Sequence, residues 1–123
     1  MPTPLVLLVD DSELVTEALG ILLVETGHRV TTASSVRTAI EAALADPPDV
    51  MLLDLTLPDG DGLEVLRALV DAGRAPRATV ALTGHDDDAT QARCLAAGCR
   101  AVLAKPVRAA ALLAGLREWV ADG

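Results

Sequence analysis

Short aliphatic runs alternate with helix-like segments five times along this chain, and that alternation limits the folds open to it. The first run, residues 5–9, is apolar at every position, which is typical of a strand covered on both faces. Four further segments predict strands, at residues 29–33, 50–54, 79–83 and 101–104. Because a helical pattern follows each strand, the chain predicts a doubly wound α/β fold with a parallel five-stranded sheet and helices on both faces.

Capping and breaking residues mark where the five helices begin and end. Gly27 follows the first helical pattern, Ser34 or Ser35 caps the second, and Gly98 ends the fourth. Three aspartates at 86–88 predict the start of the fourth helix, because carboxylates stabilise the first helical turn. The predicted helices are residues 13–26, the segment from the serine cap to 45, the segment with Leu63, Leu66, Leu69 and Val70 that ends near Gly73, the segment 86–98, and the segment with Leu112, Leu113, Leu116 and Val120.

The composition of the chain argues against several classes of function. One Trp and no Phe or Tyr leave almost nothing on which nucleic-acid bases could stack, and a net charge of −8 repels phosphates. No apolar run is long enough to cross a membrane. The first basic residue is Arg29, so the N-terminus lacks the charged region of a signal peptide. We therefore expect a cytoplasmic protein in which Cys94 and Cys99 are small core hydrophobes.

Polar residues stand at the predicted carboxyl ends of four strands. Asp10 and Asp11 follow the first strand, and Asp54 ends the third. Thr83 ends the fourth strand and Lys105 follows the fifth. In folds of this class ligands bind beyond the carboxyl ends of the strands, where the strand order reverses. If the order is 2-1-3-4-5, the three aspartates converge, and the threonine and lysine line the other side of the same cleft.

Three clustered carboxylates repel one another unless a cation lies among them, and an all-oxygen ligand set suits Mg²⁺. A lysine and a hydroxyl opposite such a site form a cradle for a phosphoryl group, with Asp54 as the nucleophile. Lys105 is the only lysine in the chain, whereas the other nine basic residues are arginines. A compact ammonium on a flexible stem suits a narrow cleft better than a planar guanidinium.

Four motifs, each at a predicted strand end, resemble those of the receiver domain of two-component response regulators along the whole chain: Val9-Asp10-Asp11-Ser12, Leu53-Asp54-Leu55-Thr56-Leu57-Pro58-Asp59-Gly60-Asp61-Gly62, Ala81-Leu82-Thr83-Gly84 and Leu103-Ala104-Lys105-Pro106. The resemblance implies a flavodoxin-like fold with strand order 2-1-3-4-5. It also implies a role for each of six residues: Asp54 as phosphoacceptor and metal ligand, Asp11 as direct Mg²⁺ ligand, Asp10 as ligand mainly through water, the backbone carbonyl of Thr56 as a further ligand, Thr83 as switch hydroxyl, and Lys105 as partner of the carboxylate and then of the phosphate.

The implied function is a signalling switch rather than a turnover enzyme. A sensor histidine kinase or a histidine phosphotransfer protein would supply the phosphoryl group, and another protein would read the result. Since the chain ends at Gly123, soon after the last helix, we expect residues 1–123 to be one stand-alone domain without an output domain, monomeric or weakly dimeric.

Two other functions compete with this interpretation. A haloacid-dehalogenase-like phosphatase also uses an aspartate nucleophile and Mg²⁺, but its acid/base aspartate would stand at position 56, which is Thr56 here. A receiver-like module that binds partners without phosphorylation would not need the full set of five polar residues. P-loop and dinucleotide fingerprints are incomplete, since Ala104 precedes Lys105 and Val65 stands where the third glycine would be.

One position departs from the pattern of the family. Three residues before the lysine, receiver domains usually carry a Tyr or Phe whose ring responds to phosphorylation, and here the residue is Val102. A short β-branched side chain cannot fill the volume that a ring would fill. We therefore expect weak coupling from Asp54 to the surface of the fourth helix, fifth strand and fifth helix. His85, two residues after Thr83, is expected to face solvent near the phosphate, and Trp119 to be partly packed.

Overall fold

Five parallel strands form the central sheet of the computed structural model, which describes residues 3–85 and 87–121. Two further strands form a small antiparallel hairpin. In chain order the strands are β1 (Leu5–Val9), β2 (Arg29–Ala33), β3 (Val50–Asp54), β4 (Thr56–Leu57), β5 (Gly60–Asp61), β6 (Ala78–Thr83) and β7 (Ala101–Ala104). The large sheet has the order β2-β1-β3-β6-β7, which is the predicted 2-1-3-4-5 once the hairpin is left out of the count.

Five helices connect these strands, and their bounds agree with the sequence patterns to within a few residues. They are α1 (Glu13–Glu25), α2 (Val36–Ala45), α3 (Leu63–Asp71), α4 (Asp88–Ala97) and α5 (Ala109–Ala121). Ser12, Ser35 and Asp87 cap the first, second and fourth of these helices with their side chains. Gly98 ends α4 in the left-handed region, at φ 109°, where a glycine meets no steric penalty.

Local details differ from the sequence prediction. The hairpin of β4 and β5 was not among the predicted strands, because two-residue strands carry no periodicity that a pattern could reveal. Helix α1 ends at Glu25, one residue early, and the Thr26 hydroxyl bonds back to the carbonyl of Leu22 at 2.9 Å. Of the three aspartates expected to open α4, Asp87 is the cap and Asp88 the first helical residue, while Asp86 lies outside the described residues.

Side chains on alternate strand positions build two separate cores, one on each face of the sheet. On one face, Leu7 of β1 and Leu53 of β3 pack with residues from α2, α3 and α4. On the other face, Leu8 and Leu52 pack with residues from α1 and α5. Helices therefore cover both faces, and the central strands are buried throughout, as their aliphatic sequences predict.

The lone tryptophan and the two cysteines all lie inside these cores. Trp119 is 4% exposed, so its expected partial packing is in fact nearly complete burial against the α1/α5 core. Cys94 and Cys99 are buried free thiols in the opposite core, as expected. Burial raises the pKa of Cys99 to about 12, which favours the protonated thiol at neutral pH. Across the described residues, the longest and most apolar helices still fall short of what a membrane crossing requires.

Candidate functional site

The first and third strands deliver three aspartates to one point at the carboxyl edge of the sheet. β1 and β3 are parallel neighbours with Val9 opposite Leu53, so Asp10 and Asp54 emerge side by side. Asp10 is 2% exposed and Asp54 5% exposed, whereas Asp11 lies at the surface. Each of the three offers a carboxylate oxygen, and these oxygens all lie within 4.8 Å of one another. The structure thus brings together the acidic cluster that the sequence predicted.

Backbone amides two residues further along the chain orient both buried carboxylates. Asp10 Oδ1 accepts a hydrogen bond from the N–H of Ser12 at 2.9 Å, and Asp54 Oδ1 accepts one from the N–H of Thr56 at 3.2 Å. Such short-range turns are a common use of aspartate at the end of a strand. Because each Oδ1 atom is held locally, each Oδ2 atom remains for a partner across the cleft.

Lys105 supplies that partner. Its Nζ lies 2.9 Å from Asp10 Oδ2 and 3.1 Å from Asp54 Oδ2, so one ammonium bridges both buried carboxylates. The backbone N–H of Lys105 donates to the carbonyl of Thr83 at 2.8 Å, which places the lysine at the end of β7 beside β6. Three strands therefore contribute to this ion pair: β1, β3 and β7.

Burial and the local charges shift the pKa of both partners in the Asp54–Lys105 pair. Burial raises the pKa of Asp54, and the negative charge of Asp10 adds to this rise. The N–H of Thr56 and the ammonium of Lys105 oppose it, but the net pKa stays above its ordinary value. Burial alone would lower the pKa of Lys105, yet the hydrogen bonds and charges of Asp10 and Asp54 together outweigh it and raise that pKa.

The donor set of the acidic cluster fits a hard divalent cation. All the side-chain atoms offered are carboxylate oxygens, which Mg²⁺ prefers. Asp10 Oδ2 is fully buried and, among the described residues, its one partner is the Lys105 ammonium, so it keeps an unused lone pair. Asp11 lies at the surface, on the solvent side of the two buried carboxylates. A cation that entered from solvent would therefore meet Asp11 first and the two buried aspartates behind it.

Thr83 lies at the carboxyl end of β6, next to this cluster, but its hydroxyl is engaged elsewhere. Its Oγ1 accepts a hydrogen bond from the N–H of His85 at 2.9 Å. The same hydroxyl donates to the carbonyl oxygen of His85 at 3.2 Å. His85 itself is exposed, as predicted. The hydroxyl is thus folded back onto its own loop, and it would have to rotate to contact a group bound at Asp54.

Two residues of the segment after Asp54, Gly62 and Asp59, have structural roles that were not predicted from the sequence. A Cβ atom at Gly62 would overlap the carbonyl oxygen of Asp54 and lie 3.0 Å from the Cα of Leu55, so only glycine fits against the strand end that carries Asp54. Asp59 accepts hydrogen bonds from two backbone amides at the start of α2. The turn-rich run of Gly and Asp at 59–62 was the available signal for both roles.

The chain is similar to known proteins over most of its length. The family model of the response regulator receiver domain matches residues 6–117. Transcriptional regulatory protein KdpE of Mycobacterium tuberculosis is 39% identical over 116 residues, which are 94% of this chain and 50% of KdpE. Transcriptional regulatory protein AfsQ1 of Streptomyces coelicolor is 33% identical over 120 residues, 98% of this chain and 52% of AfsQ1. The chain thus spans about half the length of these two relatives.

A solved structure supports the same comparison at the level of the fold. The chemotaxis protein CheY4 of Vibrio cholerae superposes with a TM-score of 0.88 at 26% sequence identity. The match covers 95% of this chain and 98% of that protein. The likeness therefore extends over nearly the whole of both molecules.

Proposed function

This chain belongs to the family of response regulator receiver domains, and on that premise we propose that it is a phosphorylation switch in which Asp54 is the phosphoacceptor. Receiver domains act in phosphorylation-dependent two-component signalling. The observation that carries the assignment to Asp54 is the single ammonium of Lys105 held between two buried carboxylates, at 2.9 Å from Asp10 and 3.1 Å from Asp54. Of these two carboxylates, Asp54 is the one that ends the central strand β3.

The transfer step requires little covalent chemistry from the protein. A carboxylate oxygen of Asp54 attacks the phosphorus of a phosphohistidine donor, an O–P bond forms, and the P–N bond breaks with its electron pair leaving on the imidazole. Lys105 releases Asp54 Oδ2 and follows the negative charge onto the phosphoryl oxygens. The hydroxyl of Thr83 leaves His85 and donates to the same oxygens.

A divalent cation completes the proposed site. Asp10, Asp11, Asp54 and the backbone carbonyl of Thr56 would hold Mg²⁺, which supplies positive charge against the phosphoryl oxygens. Asp10 and Asp54 would otherwise present two buried negative charges to an anionic donor, with one lysine to offset them.

We further propose that the donor is a histidine kinase or a histidine phosphotransfer protein, in the cytoplasm, and that the output of this domain is a changed contact with another protein. The charge of −8 and the single, buried Trp119 disfavour direct contact with nucleic acid.

The assignment is tested by phosphorylation in vitro. Incubation with a small-molecule phosphodonor and Mg²⁺ should add one phosphoryl group, detected by intact-mass spectrometry, and Asp54→Asn should abolish the addition. Asp49→Asn is a matched control, because Asp49 is also an aspartate next to β3 but lies at the opposite end of that strand. Undiminished labelling of the Asp54→Asn variant would remove Asp54 from the mechanism.

A further inference from the structure

A short hairpin connects Asp54 to the first turn of α2. Thr56 of β4 pairs with Asp61 of β5, and Leu57 pairs with Gly60, so the two arms are held together along their whole length. At the base of the hairpin, the N–H of Thr56 donates to Asp54 Oδ1 at 3.2 Å. The turn between the arms consists of Pro58 and Asp59. The hairpin can therefore move as one small unit when its base moves.

The tip of the hairpin caps a helix that belongs to a different part of the chain. Asp59 Oδ1 accepts a hydrogen bond from the N–H of Val36 at 2.7 Å, and Oδ2 accepts one from the N–H of Arg37 at 3.1 Å. Both amides lie in the first turn of α2, where backbone N–H groups have no partner within the helix. These two bonds lower the pKa of Asp59, which shows that they favour the charged carboxylate. The hairpin tip is therefore an ionic cap on α2.

A second, local cap on the same helix makes the contribution of Asp59 separable. The Ser35 hydroxyl oxygen accepts from the N–H of Thr38 at 3.1 Å, and the N–H of Ser35 donates to the Thr38 hydroxyl at 3.1 Å. This capping box is formed by Ser35 and Thr38 alone, without any atom of Asp59. Loss of the Asp59 cap should consequently loosen the amides of Val36 and Arg37 without unfolding α2.

We propose that phosphorylation of Asp54 loosens the Asp59 cap, so that the first turn of α2 responds to the state of the acceptor. The inference rests on the proposed function of Asp54. In the unmodified protein the N–H of Thr56 donates to an ionised carboxylate, whereas in the acyl phosphate the charge has moved to the phosphoryl group and that bond weakens. The carbonyl of Thr56 would at the same time be drawn towards a bound cation. Both changes act on the base of the hairpin.

A displaced hairpin tip cannot keep both of its bonds to α2. The contact of 2.7 Å to Val36 is at the short end for an N–H···O bond, and the 3.1 Å contact to Arg37 is close to the long end, so a shift of the tip lengthens at least one of them. The response would reach the surface at Arg37, whose exposed guanidinium pairs with Glu41 one turn later. This route does not use β7, where Val102 stands at the position that usually carries an aromatic residue in receiver domains.

Amide hydrogen exchange of Val36 and Arg37, measured by NMR, tests the inference with beryllofluoride and Mg²⁺ as the probe. In the wild type, exchange of these two amides should accelerate at least about fivefold when the probe binds, which is the low end of typical coupling between sites. Ser35→Ala weakens the local cap and should keep this response. Asp59→Ala should show fast exchange from the start and no further change. A wild-type response below twofold, or slower exchange on binding, would overturn the proposal.

Reciprocity gives an independent measurement. If the bound state loosens the cap, then removing the cap in advance must favour the bound state by the same factor, so Asp59→Ala should bind beryllofluoride about fivefold more tightly. Isothermal titration calorimetry measures this, with Asp54→Asn as the blank. If the wild type fails to bind the probe, the proposed function of Asp54 fails and the inference falls with it. If the wild type binds but Asp59→Ala binds equally tightly, the coupling alone is wrong.

Discussion

The substitution Gly→Ala should have a different effect at each of three glycines whose backbone is helical. Gly20 lies inside α1, Gly115 inside α5, and Gly62 immediately before α3 with helical dihedral angles. Alanine in a helix interior is favoured over glycine by about 0.5–1 kcal/mol. The surroundings of the added Cβ atom decide whether this gain survives.

A Cβ at Gly20 meets nothing within 4 Å, so Gly20→Ala should stabilise the domain by up to about 1 kcal/mol and raise Tm by roughly 4 °C. A Cβ at Gly115 would overlap the ring of the buried Trp119. Three ring carbons would lie too close to it, and the most distant of them, Cζ3, would be 2.8 Å away. Overpacking of this kind costs about 1–3 kcal/mol, which cancels or exceeds the helical gain. Gly115→Ala should therefore lower stability while leaving the acceptor site intact.

Gly62→Ala should damage both stability and phosphorylation. Its Cβ would overlap the backbone of Asp54, with the Asp54 carbonyl carbon and the Leu55 Cα each at 3.0 Å, and backbone at a strand end cannot turn aside as a side chain can. We expect a loss of about 1–3 kcal/mol. A displaced acceptor should also slow labelling by the phosphodonor on the order of 10- to 100-fold.

Urea unfolding, followed by the fluorescence of the single Trp119, gives the stabilities, and intact mass against time gives the labelling rates. Gly20→Ala and Gly115→Ala should label at the wild-type rate, so they control for stability changes that do not involve the site. The reasoning fails if Gly62→Ala retains wild-type stability and labelling, or if Gly20→Ala is destabilised.

Four further outcomes are expected. Thr79 has a fully buried hydroxyl with no hydrogen-bond partner among the described residues, so Thr79→Val should raise the free energy of unfolding by about 1 kcal/mol, measured in urea. Lys105→Arg keeps the positive charge but replaces a compact ammonium with a planar guanidinium. Labelling by the phosphodonor should therefore slow, or lose its effect on partner binding. A normal labelling rate together with normal partner binding would show that charge alone matters at this position. Asp11→Ala should lower Mg²⁺ affinity in calorimetry more than Asp10→Ala does, and equal binding in both variants and the wild type would refute the metal site. The pKa of Asp59 is below its ordinary value of 3.8 because backbone amides donate to its carboxylate. The stability that this charge contributes is therefore complete above pH 3.8, the unfolded-state pKa. It disappears as the pH falls through the lower, folded-state pKa. The difference in urea midpoint between wild type and Asp59→Asn should accordingly vanish in acid, and a difference that persists there would contradict the ionic cap.

The pattern of apolar residues and the positions of helix-capping and helix-ending residues were sufficient to predict the architecture of the domain. The aliphatic run of β1 and the helical patterns after each strand depend on local chemistry, because a strand covered on both faces has no polar position. The carboxyl ends of parallel strands meet at one edge of a sheet, so Asp10, Asp54 and Lys105 could be expected there from the sequence alone. Both cysteines were expected in the core because two thiols without an oxidising compartment behave as small hydrophobes, and both are buried.

Only the tertiary structure showed which atoms meet. The ammonium of Lys105 contacts Oδ2 of two aspartates that lie 44 positions apart, and no local pattern encodes such a distance. The hydroxyl of Thr83 was expected to face the acceptor, but it is bonded to the backbone of His85, because a nearby amide competes for it within the same turn. In the sequence, Asp59 is one residue of a run of Asp and Gly.

The role of Asp59 as a cap depends on a tertiary contact, because the amides that it caps lie in α2, 22 to 23 residues away along the chain. Trp119 likewise could not be placed from its helix alone, since the space for its ring exists because Gly115, one turn earlier, has no side chain. Secondary structure follows from short-range preferences that each segment carries in its own residues. Contacts between segments depend on how several elements pack at once, and that arrangement is set by the whole chain.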